Sequence, residues 1–278
     1  SGIVVVVFSF INILFSLIFV VYFNLNVKGV ALGTLVSSTL TSIIFLFFTF
    51  FELKKITTLE FNYKKIFNFN KIKNIFNINF NIFIRSLLLT FSFLFFTYLG
   101  NSISEDVVAA NTILINLIML SAFILDAYAF STEGLVGYSI GSKNKKLLKE
   151  IIKNSFILSS STGLIISFGY FLGKNHFIEI MTDLESIKII CLSYSVWIVI
   201  IPFISSFCYQ FDGIFAGASK TKELRNAMIM SVSIYLLTAF LLVNFFGNLG
   251  LWISLSIFFI LRGLTLFLYL GRIYKAVI

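Results

Sequence analysis

The chain has 278 residues, 59% of them hydrophobic and only 12% charged, with 36 phenylalanines and a mean hydropathy of +1.01. Water-soluble domains carry about 25% charged residues, so this chain has too little polar surface to cover a soluble fold and needs lipid as its solvent. Its two cysteines, Cys191 and Cys208, lie in apolar runs and its single histidine is His176, which excludes a disulfide framework, a Cys–His metal knuckle and His-based triad chemistry.

A helix needs about 20 apolar residues to cross the hydrocarbon core. Eight such runs follow one another: 3–23, 29–51, 79–99, 107–130, 155–173, 187–209, 227–246 and 250–271. Each is continuous, without the short alternating segments of a membrane barrel, so the runs read as helices. The first has no basic segment before it and no small-residue cleavage site after it, so it reads as a span and not a signal peptide. The expected fold is an all-α polytopic membrane protein with eight transmembrane helices in this chain.

The loops give an orientation. Loop 52–78 carries Lys54, Lys55, Lys64, Lys65, Lys71 and Lys73; loop 142–154 carries Lys143, Lys145, Lys146, Lys149 and Lys153; loop 219–226 carries Lys220, Lys222 and Arg225; the tail carries Arg272 and Lys275. The other side has only Lys28, Lys174 and Lys188, beside Glu105, Asp106, Glu179, Asp183 and Glu185. The basic side is expected to be cytoplasmic, with the C-terminus on it. The net charge of +9 then orients the protein against an anionic leaflet and implies no nucleic-acid partner. Within 52–78, Phe61, Ile66, Phe69, Ile72 and Phe76 are interleaved with Lys and Asn, a pattern that fits an interfacial amphipathic helix as well as a plain connector.

The second run opens Val27-Lys28-Gly29-Val30-Ala31-Leu32 and the eighth Asn248-Leu249-Gly250-Leu251-Trp252-Ile253, each after a short loop containing Asn. Transporters are often built from two similar halves. If spans 1–2 match spans 7–8, four further spans are expected before Ser1, giving twelve in all, and a chain opening on Ser instead of Met fits a fragment of a longer protein.

Five charged residues fall inside or at the ends of apolar runs: Arg85, Asp126, Glu133, Asp212 and Arg262. A charge at the centre of a span costs about 2.5–3.5 kcal/mol on insertion scales, so they require internal pairing or a wet cavity. Asp126 and Glu133 are one heptad apart and share a helix face, with Gly137 continuing it and Gly134 beside it. Pro202, the only proline, is expected to kink the helix ahead of Asp212. If each arginine pairs with one acid, one acid is left over, free to exchange a proton for a cation. The arginines read either as helix-locking partners or as snorkelling side chains; the acids read as functional, as intramembrane acids generally do. Tyr128, Tyr138, Tyr194 and Tyr209 either line an aromatic cavity for organic cations or pack. Asn111 and Asn116 either bond between helices or line a path. His176 is expected in a solvated outer loop.

Several stretches resemble one family when taken together: Asn81-Ile82-Phe83-Ile84-Arg85; Leu125-Asp126-Ala127-Tyr128-Ala129 followed by Glu133-Gly134-Leu135-Val136-Gly137; Asp212 to Ala218, then Leu224-Arg225-Asn226-Ala227-Met228; Gly250-Leu251-Trp252 and Arg262-Gly263. Across essentially its whole length the chain resembles multidrug and toxic compound extrusion (MATE) transporters of the DinF-like branch. The resemblance implies two six-helix bundles related by a pseudo-two-fold axis. Residues 1–51 would be the last two helices of the first bundle, 52–78 a cytoplasmic linker, and 79–278 the complete second bundle. It implies a monomeric protein of the bacterial inner membrane that exports cationic or amphipathic compounds in exchange for H+ or Na+, with no other cofactor and no metal site. Ion coupling or substrate binding would fall to Asp126, Glu133 and Asp212, with Arg85 and Arg262 as partners and Asn111, Tyr128 and Tyr209 as cavity residues. Two departures stand out: Ala127 replaces the usual Gly, and the first four helices, which carry an important acid in the family, are not in the chain. Two other functions compete with this reading. A lipid-linked oligosaccharide flippase of the same superfamily would show cationic residues for a pyrophosphate, whereas here acids outnumber bases inside the membrane. An intramembrane aspartyl protease using Asp126 and Asp212 would need the acids to meet, and the Gly that should precede Asp212 follows it.

Overall fold

The computed structural model describes residues 2–56 and 68–275, which fall into two compact units divided between Asn68 and Phe69. Lys64, Lys65, Phe61 and Ile66 of the expected linker lie outside the described residues. Among the described residues the structure is helical throughout, without strands.

The first unit is a helical hairpin of α1 (Gly2–Leu17), a π-helical turn (Ile18–Tyr22) and α2 (Asn26–Ile56). Asn24 and Asn26 take positive φ in the connection, a conformation Asn tolerates better than most residues. Gly29 then packs on the Phe19 backbone and Gly33 on Ser16, so closely that a Cβ on either would stand 2.9 Å or less from a backbone atom. Asn12 Nδ2 donates to Thr34 Oγ1 at 3.1 Å across the pair.

The second unit runs α3 (Phe69–Ile103), α4 (Glu105–Gly141), α5 (Lys145–Met181), α6 (Glu185–Tyr194), α7 (Val196–Gly217), α8 (Thr221–Phe246) and α9 (Asn248–Lys275). Among the described residues, seven helices are long and apolar enough to cross a membrane; the expected first span is the apolar stretch of α1 and the π-helical turn that continues it. The expected sixth span, 187–209, is two helices meeting at Ser195. α7 runs on through Pro202 without ending there.

The helices outrun their apolar cores because their ends are capped in the flanking polar sequence. Ser104 accepts from Val107 N, and Glu105 and Asp106 meet the positive end of the α4 dipole. Asn144 accepts from Leu147 N, so the lysine-rich stretch expected as a loop becomes the first turns of α5. At the far end the same helix continues to Met181, so exposed His176 is helical and not in a loop. Likewise 69–78 belongs to α3, with Phe69, Ile72 and Phe76 exposed on it; residues 57–67 of the candidate interfacial segment lie outside the described residues.

Lipid is as apolar as leucine, so these helices are held by shape and by polar contacts more than by the hydrophobic effect. At one end Trp252 stacks on Trp197, meets Phe96 edge-on at 5.0 Å, and donates Nε1 to Asn111 Oδ1 at 2.9 Å. Asn111 and Asn248 exchange side-chain hydrogen bonds at 2.7 and 3.1 Å, tying α4 to α9. At the other end Leu148, Ile214 and Phe215 form a second buried cluster.

The two glycines of the repeated opening have one physical cause. Gly250 meets the Leu242 backbone of α8 as Gly29 meets Phe19. Each lets a span fold back tightly against its predecessor, and Gly247 with φ of 55° makes the second turn.

Candidate functional site

Inside the second unit, α3, α4, α7, α8 and α9 enclose a cavity of about 340 Å³. Its polar lining consists of Arg85, Asp126, Glu133, Tyr209, Asp212 and Arg262. The five intramembrane charges, scattered over 178 positions of sequence, thus reach one hollow.

Their pairing differs from the expected one. Arg85 NH2 lies 2.6 Å from Asp212 Oδ2, and Arg262 NH2 is bonded to that same oxygen. Both arginines serve one acid, so two acids are left over and not one. Among the described residues, no cation forms an ion pair with Asp126 or Glu133. Asp126 is half-buried on the cavity wall and Glu133 is exposed, two turns further along the same face of α4. Arg262 is 2% exposed and its guanidinium sits 5.5 Å from the Tyr209 ring centroid, close enough for a cation–π contact. Nε and NH1 of Arg262, and Nε of Arg85, have no hydrogen-bond partner among the described residues.

Two of the expected cavity residues lie elsewhere. Tyr128 is on another side of α4, where its hydroxyl accepts from Thr162 Oγ1 at 2.9 Å. Asn111 is buried in the interhelical knot with Asn248 and Trp252, at the opposite end of α4 from Glu133. Tyr209 does line the cavity. Tyr138 is exposed, Asn116 is exposed, and Tyr194 packs against the core.

The residues that hold the acids in register were missed from sequence. A Cβ on Gly213 would collide with the Ala129 backbone, and one on Gly217 with the Glu133 backbone. α7 therefore lies directly on the acidic helix, with Asp212 beside the contact. The available signal was the Gly-x-x-x-Gly spacing of 213 and 217, which permits close backbone approach between membrane helices. Beside it, Thr132 donates to buried Gln210 Oε1 at 3.0 Å. Arg225 NH1 donates to buried Asn81 at 2.8 Å, joining α8 to α3.

Long apolar helices around a buried, incompletely neutralised charge cluster define a polytopic membrane protein with an internal polar cavity. The MatE family profile matches residues 82–243, more than half of the chain, and the chain belongs to that family, whose members are transporters and not enzymes. It is 31% identical over 264 residues to DNA damage-inducible protein F of Escherichia coli (strain K12), covering 95% of this chain and 57% of that protein. Its fold matches the bent form of the Vibrio cholerae MATE transporter VcmN with a TM-score of 0.84 at 18% identity, covering 99% of this chain and 62% of that one. An outward-facing multidrug resistance MATE family transporter of the MOP superfamily matches with a TM-score of 0.88 at 19% identity, with the same coverage. A MOP superfamily transporter from Pyrococcus furiosus, described as having a binding pocket of reversed polarity, matches with a TM-score of 0.85 at 19% identity, covering 99% and 62%. The chain thus spans about three-fifths of the length of the relatives it matches.

Proposed function

We propose that the protein is a secondary active transporter of the bacterial inner membrane. It exports cationic or amphipathic compounds by alternating access, in exchange for H+ or Na+, as a monomer with no further cofactor. The observation that carries this reading is that Asp126 and Glu133 face a hollow of about 340 Å³ without a guanidinium partner. A carboxylate so held has oxygens available to a proton, a sodium ion or a cationic substrate, and only one of these is needed at a time. Asp126 is the exchanging group: it is the deeper of the two free acids, and water screens it less than Glu133. Asp212, engaged by Arg85 and Arg262, holds the cavity wall together and neutralises part of the arginine charge. The lysine-rich helix ends support a cytoplasmic C-terminus.

The flippase alternative needs guanidinium groups free to meet a pyrophosphate. Here both cavity arginines spend a donor on Asp212, and the two uncommitted ionisable groups are acids, which favours a cationic cargo. The test is export of an ethidium-like dye from cells or vesicles carrying the full-length protein. Asp126→Asn is expected to abolish ion-driven export while leaving membrane insertion intact. Export at the wild-type rate by that variant would remove Asp126 from the mechanism.

A further inference from the structure

A second hollow lies apart from the charged cavity. It is a groove of about 610 Å³ between α5, α7 and α9, walled by Phe156, Phe203, Phe207, Phe211, Phe259 and Phe267. Every residue lining it is apolar. Gly263 lines it, and a Cβ built there would have its nearest neighbour at 3.8 Å, on Cys208. The size falls within the roughly 300–1,000 Å³ range of small-molecule sites, and the groove is sunk into helices long enough to cross a membrane.

Its length and its ends say what fills it. From Phe259 to Leu270 along α9, at the α-helical rise, the groove runs about 16 Å. That is close to half of a hydrocarbon core about 30 Å thick, so it is one leaflet deep. The leaflet is the one at the lysine-rich helix ends, because Ile152 and Leu270 close the groove there. On α5, exposed Lys149 and Lys153 flank Ile152; on α9, exposed Arg272 and Lys275 follow Leu270. The acids at this rim are Glu150, exposed on α5, and Glu223, which takes Arg272 at 3.2 Å. The rim is therefore net positive, with three lysines against the single acid not engaged by Arg272. Because a lipid tail gains little by exchanging one hydrocarbon surface for another, selection has to come from the concave shape and from the charge at its mouth.

We propose that this groove is a binding site for an anionic phospholipid of that leaflet, with one acyl chain along the phenylalanine wall and the phosphate at Lys149, Lys153 and Lys275. The proposal is independent of the export reading, since none of its residues lines the charged cavity.

The test places the full-length protein in nanodiscs of phosphatidylglycerol or phosphatidylcholine, each carrying a diazirine near the acyl terminus, and maps crosslinks by peptide mass spectrometry. With phosphatidylglycerol, crosslinks are expected to concentrate on 203–211 and 259–270, and to fall severalfold with phosphatidylcholine. Lys149→Gln and Lys153→Gln should each lower the phosphatidylglycerol signal about fivefold, the scale of one basic residue at an anionic surface. Gly263→Leu should remove the groove crosslinks and Gly263→Ala should keep them. Leu264→Trp, on the exposed rim, blocks the groove without entering a helix contact and serves if Gly263→Leu fails to fold. Crosslinks spread evenly over all lipid-facing helices, or indifferent to headgroup charge, would overturn the site. Displacement of the label by excess ethidium-like dye would also overturn it, assigning the groove to cargo instead.

Discussion

Asp212→Asn isolates the contribution of the one carboxylate that two guanidiniums share. Arg85 and Arg262 both bond its Oδ2, and Arg262 is 2% exposed with two further nitrogens lacking partners among the described residues. Asparagine keeps the shape and an acceptor oxygen but removes the charge, leaving two cations together with no committed anion. Breaking a buried ion pair from one side costs about 3–5 kcal/mol, because the partner stays charged and buried. Arg262→Met is expected to cost less, since Arg85 still serves Asp212 and a buried cation is removed together with its desolvation cost. The double variant Asp212→Asn/Arg262→Met should therefore be more stable than Asp212→Asn alone, with a coupling of about 1–3 kcal/mol between the two sites. The measurement is thermal denaturation of the purified full-length protein in detergent, followed by size-exclusion recovery and tryptophan fluorescence. If Asp212→Asn stays within about 0.5 kcal/mol of wild type, as a surface change would, or if the two substitutions add independently, the reasoning fails.

Three more outcomes follow from the same structure. Gly213→Leu drives a side chain into the Ala129 backbone and should destabilise by about 1–3 kcal/mol or more through overpacking, read as lost monodisperse protein in detergent. Asn111→Ala leaves the Asn248 amide and the Trp252 indole N–H without their buried acceptor; a loss of about 1–3 kcal/mol with a changed near-ultraviolet dichroism signal is expected. Glu133→Gln, altering the exposed acid of the cavity, should reduce dye export less than Asp126→Asn does, and an equal loss would show that both acids act as one unit.

Much of the architecture was open to reading because lipid imposes a simple rule: a backbone crossing it must satisfy itself, so long apolar runs are helices. The runs around Asp126 and Arg262 fell inside helices α4 and α9 on that ground alone. Helix ends were less legible, since a capping Asn144 makes helix out of a lysine-rich segment that hydropathy reads as loop. The split at Ser195 left no mark that hydropathy could register. At the site, heptad spacing put Asp126 and Glu133 on one face, and both line the cavity. The partner choice was not legible: nothing in one dimension says that Arg85 and Arg262 converge on a single oxygen of Asp212. Tyr128, two positions from Asp126, turns to another helix because two residues advance about 200° around α4.

The glycine contact between α4 and α7 has a mechanical consequence. Where two backbones touch at Ala129 and Glu133, neither helix can slide or roll without steric collision, so the pair behaves as a single slab bearing Asp126, Glu133 and Asp212 at fixed spacing. α3 is fastened to that slab at its cavity face by Arg85, through a bond that side-chain rotation alone can release.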